Sequence, residues 1–89
     1  MENYKVTIKP SAAKELESID RKKDRQRIAE HILELAVNPR PHGSEKMTAM
    51  DRHYKLRQGD YRIVYEIDDA ARTIFVKKIR NRREVYRKK

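Results

Sequence analysis

Residues 53–65, HYKLRQGDYRIVY, decide the fold that this sequence predicts. The segment is typical of two short strands joined by a tight turn, where Gly59 supplies a backbone conformation that other residues resist. Because side chains alternate between the two faces of a strand, one face of the hairpin is apolar and buried. Its members are Tyr54, Leu56, Tyr61, Ile63, Tyr65 and Ile67. The opposite face carries His53, Lys55, Arg57 and Arg62, and such a row of cations suits a polyanion.

The composition predicts one small domain, residues 1–89, with an uneven basic charge. Apolar residues make up 37% of the chain and charged residues 42%, with a formal net charge of +9. Residues 1–50 carry ten Lys and Arg against eight Asp and Glu, whereas residues 51–89 carry thirteen against six. This concentration of positive charge favours a nucleic-acid surface. The alternative is a solvated basic face that aids solubility.

Several classes of protein are disfavoured by what the sequence lacks. It has no cysteine, so it has neither disulfides nor a thiolate zinc site, and its three histidines show no metal-ligand spacing. It contains no apolar run of the roughly 20 residues that cross a membrane, and the N-terminus has no signal-peptide core. We therefore expect a cytoplasmic protein that uses neither a metal nor another cofactor.

The spacing of apolar residues along the chain predicts the order of helices and strands. Residues 4–8 alternate as a strand, and Ser11 is a candidate N-cap for a helix that runs to about residue 19. A longer amphipathic helix ends near Val37, before Asn38-Pro39. The hairpin follows, and Thr73 to Ile79 form the last strand before a basic tail. The expected order is β-α-α-β-β-β, an α+β domain with an antiparallel sheet and both helices on one face.

The residues themselves point to phosphate chemistry. The sequence has no glycine-rich phosphate loop, no HExxH motif and no nucleophile elbow. It has instead a cluster of cations, Lys55, Arg57 and Arg62, and Arg80 closes the strand expected beside them. Such a cluster can bind a phosphodiester and stabilise the charge that develops at phosphorus during cleavage.

RNA carries its own nucleophile, the 2′-hydroxyl, so its cleavage needs no metal. It needs a base, cations for the non-bridging oxygens and a proton donor for the departing 5′-oxygen. Crowded cations would move Lys55 toward general-base competence, and His53 on the same face is the more conventional base. Tyr86 could donate a proton or stack on a nucleobase. The residues alone favour nucleic-acid or phosphate binding over catalysis.

Two blocks of sequence together identify a family. The block YKLRQGDYRIVYEIDD, followed by VKKIRNRREVYR, closely resembles the RelE/ParE superfamily of toxin–antitoxin toxins. SAAKELESI and ILELAVNPRPHG resemble its two-helix section, so the likeness covers almost the whole chain. The resemblance implies a ribosome-dependent endoribonuclease that cuts mRNA in the ribosomal A site by 2′-hydroxyl attack and leaves a 2′,3′-cyclic phosphate. It implies a catalytic set made of Lys55, Arg62, Arg80 and Tyr86.

The chain departs from the RelE pattern in ways that leave alternatives open. His53 stands where RelE has a lysine, so the base is either His53 or Lys55. Arg82 or Arg83 could take the role assigned to Arg80. The residues expected to bind RNA are His53, Arg57, Arg82 and Arg83. The superfamily also contains ParE-like inhibitors of DNA gyrase, and a non-catalytic basic module that binds RNA or the ribosome is a further alternative.

The resemblance also implies partners. A toxin of this kind requires a cognate antitoxin, and the basic second half of the chain independently favours an acidic partner. Such an antitoxin would order as it wraps the toxin, giving a hetero-oligomer. The ribosome and mRNA are the other expected partners, and a membrane is not.

Overall fold

The computed structural model describes residues 3–81 as five strands and two helices. The α+β class, the two successive helices and the hairpin are confirmed. In chain order the elements are β1 Lys5–Ile8, α1 Pro10–Glu17, α2 Lys22–Glu34, β2 Ser44–Lys46, β3 His53–Gln58, β4 Tyr61–Asp68 and β5 Thr73–Asn81.

The strands form a single mixed sheet in the order β1-β5-β4-β3-β2. The pairs β2–β3, β3–β4 and β4–β5 are antiparallel, as expected for strands joined by short connections. One pairing differs from the expected antiparallel sheet, because β1 lies parallel to β5. A tight turn would make the next strand antiparallel to β1. Two helices follow β1 instead, so its pairing with β5 can be parallel. The short edge strand β2 is an addition that sequence periodicity did not indicate.

The hydrophobic core lies between one face of the sheet and both helices. The helices and the residue after α2 contribute Ala12, Ile28, Ile32 and Leu35, which are almost fully buried. The sheet contributes Leu56, Ile63, Tyr65, Ile67, Ile74, Val76 and Ile79. The Tyr65 hydroxyl donates to the carbonyl oxygen of Pro39 at 2.9 Å, so this buried aromatic has a partner. The apolar face predicted for the hairpin is therefore the core face, with Tyr54 and Tyr61 half-buried at its margins.

The helix ends differ slightly from those that the sequence predicts. Helix α1 begins at Pro10, with Lys9 rather than Ser11 at the N-cap position. Proline suits this first position because its missing N–H would have no partner inside the helix. Helix α2 ends at Glu34, and the chain continues as a turn through Val37. No helix in residues 3–81 combines the length and apolarity needed to cross a membrane.

A β-bulge in β5 reverses the alternation of side chains halfway along the strand. Tyr65 pairs with Val76, but Val64 pairs with Lys78, so Lys77 is an extra residue. Ile74, Val76 and Ile79 are all buried as a result. Strict alternation would have placed Ile79 in solvent and Arg80 in the core. The bulge therefore sends Arg80 to the outer face of the sheet.

Candidate functional site

Three arginines lie side by side on the outer face of the sheet, opposite the helices. Arg57 of β3 pairs with Arg62 of β4, and Arg62 pairs with Arg80 of β5. All three side chains are exposed. We call this set the arginine row. Residues directly opposite on neighbouring strands have Cβ atoms roughly 4.5–5.5 Å apart, so one phosphate group can contact more than one of these side chains.

Lys55 lies beside the arginine row. It occupies the same face of β3, two residues before Arg57, and a cavity of about 260 Å³ joins it to the row. The lining of that cavity is Gly43, Glu45, Lys55, Arg57 and Arg62. The bulge also turns Lys78 to this face. Lys78 and Lys55 both pair with Val64, from opposite sides of β4, so the two lysines lie at the same level of the sheet. The structure thus brings together four of the predicted site residues, Lys55, Arg57, Arg62 and Arg80.

An acidic residue in the same cavity was not foreseen. Glu45 of the edge strand β2 pairs with Lys55, and its Oε1 lies 3.7 Å from the lysine Nζ. A phosphate that binds Lys55 must compete with this carboxylate. The tripeptide of β2 is polar and three residues long, so no periodic signal in the sequence indicated that Glu45 faces Lys55.

His53 lies on the same face of β3, two residues beyond Lys55 and at the opposite end of the strand from Arg57. It pairs with Glu66 at the other end of β3, and its Nδ1 is 2.8 Å from the carbonyl oxygen of Asp51. Four residues separate His53 from Arg57, which is roughly 13 Å along an extended strand. Near His53 the positive charge is offset, because Glu66 contacts Arg52 at 3.3 Å and Lys77 at 3.4 Å. His53 is therefore farther from the arginine row than Lys55 is, and its predicted role at the site stays a prediction.

The Glu15 carboxylate of α1 contacts β5 at Ile79 and at Arg80, the member of the arginine row that β5 contributes. Strand β1 reaches only to the level of Val76, so within residues 3–81 no strand neighbours the edge of β5 beyond that point. The Ile79 N–H instead donates to Glu15 Oε1 at 2.8 Å. The other oxygen, Glu15 Oε2, lies 3.8 Å from Arg80 Nε. One side chain thus contacts both the backbone of β5 and the guanidinium group that follows.

A second polar cluster lies at the opposite end of the sheet, away from the arginine row. Arg40 Nη2 donates to Asp69 Oδ2 at 2.8 Å, and the Tyr4 hydroxyl donates to Asp69 Oδ1 at 2.5 Å. Arg40 Nε also donates to the Tyr54 hydroxyl at 3.1 Å. The bond from Arg40, and then that from Tyr4, holds the pKa of Asp69 below its usual range. This cluster fastens the connection after α2 to the turn between β4 and β5.

Three predicted site residues, Arg82, Arg83 and Tyr86, lie outside the described residues. The expected convergence of Tyr86 with Lys55, Arg62 and Arg80 on one surface therefore stays a prediction. Within residues 3–81, no group of His, Asp and Glu is arranged to hold a metal ion.

Comparison with known proteins identifies the family. The family model for the ParE toxin of the type II toxin–antitoxin system parDE matches residues 6–86. The RelE toxin of Mycobacterium tuberculosis is 32% identical over 89 residues, an alignment that covers 94% of this chain and 87% of the relative.

Solved structures agree with this family. The archaeal RelE–RelB complex from Pyrococcus horikoshii superimposes with a TM-score of 0.79 at 27% identity, covering 89% of this chain and 94% of that one. The isolated RelE toxin of E. coli gives a TM-score of 0.76 at 26% identity, covering 94% and 92%. The chain therefore belongs to the RelE/ParE superfamily of toxins of type II toxin–antitoxin systems, and it is RelE-like.

Proposed function

We propose that this toxin is a ribosome-dependent endoribonuclease that cleaves mRNA in the ribosomal A site and so stops translation. The observation that carries the proposal is the arginine row with Lys55 beside it on one open face. Guanidinium groups match the geometry of phosphate oxygens, and an exposed sheet face can admit a chain as large as mRNA. The 32% identity to a RelE toxin supports the same reading, whereas the match to the ParE family model keeps the gyrase alternative under test.

The proposed reaction is an internal transfer within RNA. The 2′-oxygen forms a bond to phosphorus, the bond from phosphorus to the 5′-oxygen breaks, and a 2′,3′-cyclic phosphate remains. The arginine row neutralises the charge that grows on the non-bridging oxygens. A base takes the proton of the 2′-hydroxyl, and an acid, Tyr86 in this proposal, returns one to the departing 5′-oxygen. Of the two candidates for the base, Lys55 lines the cavity and His53 lies about 13 Å from Arg57 along the strand, which favours Lys55.

The partners of the toxin form part of the proposal. Relatives of this chain have been solved as complexes of RelE with RelB, among them the P. horikoshii and E. coli pairs. By extension, an acidic antitoxin would bind this chain in a hetero-oligomer and neutralise its basic surface. The ribosome and its mRNA, in the cytoplasm, would be the target.

The proposal is tested by adding the toxin to a defined mRNA in a reconstituted translation mixture and, in parallel, in the same mixture without ribosomes. We expect cleavage within codons only when ribosomes are present. Lys55→Ala and Arg62→Ala should slow single-turnover cleavage by about 10²–10³-fold, which is within the usual cost of losing a general base or a group that stabilises transition-state charge. Their affinity for the ribosome should change far less. Lys23→Ala, on the exposed surface of α2, removes the same charge and should leave cleavage unchanged.

Other outcomes would identify other functions. If mRNA stays intact while gyrase-dependent supercoiling stops, the toxin acts as a ParE-like inhibitor. If neither activity is found and the chain still binds ribosomes, it is a basic binding module. Equal loss of cleavage in the Lys55, Arg62 and Lys23 variants would show that net charge, and not the arginine row, carries the activity.

A further inference from the structure

We infer that Glu15 is a positioning residue for Arg80, an inference that rests on the proposed nuclease function. Glu15 makes two contacts with β5: Oε1 accepts the Ile79 N–H at 2.8 Å, and Oε2 lies 3.8 Å from Arg80 Nε. It is the carboxylate that joins the helical layer to the arginine row.

The first contact fixes where the strand lies. Because β1 pairs with β5 only as far as Val76, no strand among the described residues accepts the Ile79 N–H at this edge. A half-buried N–H without an acceptor would favour fraying of the strand end. Glu15 supplies the acceptor. It lies on α1, and Ala12 of the same helix is fully buried in the core. The backbone beside Arg80 is thereby hydrogen-bonded to a helix that packs on the core.

The second contact places a negative charge beside the guanidinium group. The ion pair engages the Nε side of Arg80, which leaves the two Nη groups to donate to a phosphate. Arg62 lies directly opposite Arg80, and Arg57 lies beyond it, so repulsion would turn Arg80 away from the row. The negative charge of Glu15 opposes that repulsion. In the described part of the chain, this is the ion pair that the structure gives to Arg80.

The two contacts can be separated by substitution. Glu15→Gln keeps an oxygen that can accept the Ile79 N–H but removes the charge that faces Arg80. Glu15→Ala removes both. The matched control is Glu17→Gln, which makes the same change of charge at an exposed position of the same helix.

The experiment measures single-turnover cleavage of ribosome-bound mRNA together with affinity for the ribosome. We expect Glu15→Gln to slow cleavage about three- to tenfold, because a misplaced charged group stabilises the transition state less well. Ribosome affinity and thermal stability should stay at the wild-type value, and Glu17→Gln should match the wild type in all three. Glu15→Ala should be slower still and should unfold at a lower temperature. In a protein that already carries Arg80→Ala, whose slow cleavage is followed over hours, adding Glu15→Gln should cause no further loss of cleavage rate.

A second readout does not depend on activity. The NMR resonance of the Arg80 Nε–H group should move in Glu15→Gln and stay in place in Glu17→Gln. If the wild type does not cut mRNA at all, the proposed function fails, and the NMR comparison still tests the contact. If the wild type cuts and Glu15→Gln cuts equally fast, the inference is overturned. It is also overturned if Glu15→Gln slows the Arg80→Ala variant by the same factor as the wild type.

Discussion

Replacing Arg62 by glutamine should make the protein more stable while it removes activity. Arg62 is the middle member of the arginine row, with Arg57 opposite on one side and Arg80 on the other. Each pair of like charges directly opposite on a sheet costs roughly 0.2–1 kcal/mol. Removing the central charge relieves two pairs, so the free energy of unfolding should rise by about 0.4–2 kcal/mol at low salt. For a domain of this size each kcal/mol corresponds to about 4–8 °C in melting temperature.

The measurement is urea unfolding followed by circular dichroism, in 10 mM and in 1 M salt. The Debye length falls from about 30 Å to about 3 Å between these conditions, so the gain should be largest in 10 mM salt and should shrink in 1 M salt. Arg27→Gln, on the exposed face of α2, removes the same net charge without relieving a cross-strand pair.

Two results would refute this reasoning. One is an Arg62→Gln protein that is less stable than the wild type at low salt. The other is an equal gain in Arg27→Gln, which would assign the effect to the overall charge of +9 and not to the arginine row.

Two further predictions concern carboxylates. Glu45→Gln removes the ion pair with Lys55, so the affinity for a short single-stranded RNA, measured by fluorescence anisotropy, should rise up to about fivefold; an unchanged dissociation constant would contradict this. Arg40 and Tyr4 lower the pKa of Asp69 in the folded state, so its contribution to stability is present above the unfolded pKa of about 3.9 and is lost as the pH falls through the folded value. The difference in unfolding free energy between the wild type and Asp69→Asn should therefore shrink below about pH 4, and a difference that stays constant from pH 7 to pH 2 would contradict it.

Local signals were enough to predict the hairpin and its two faces. Gly59 has a φ of +58° in the turn, and alternation places Leu56 and Ile63 in the core and Arg57 and Arg62 in solvent. These features depend on neighbouring residues along the chain, and hydrophobic periodicity reports them directly.

The rest of the site depends on contacts that no local pattern records. Glu15 accepts a hydrogen bond from the Ile79 N–H, which lies 64 positions later in the sequence. No local pattern in α1 distinguishes this glutamate from the residues around it. The bulge at Lys77 interrupts the alternation of side chains along β5 just before Arg80. That Arg80 faces outward could be expected from family resemblance, but its orientation follows from an extra residue that only the strand pairing reveals.

The parallel pairing of β1 with β5 sets the order in which the molecule can be completed during synthesis. Lys5 pairs with Thr73, so the first strand waits for 68 further residues before its partner exists. At 5–20 residues per second, that delay is about 3–14 s. Arg80 belongs to the same late strand, so the event that closes the sheet is also the one that completes the arginine row. A nascent chain that has not yet made β5 has neither its finished core nor the third guanidinium group, so the proposed site can form only after β5 has been synthesised.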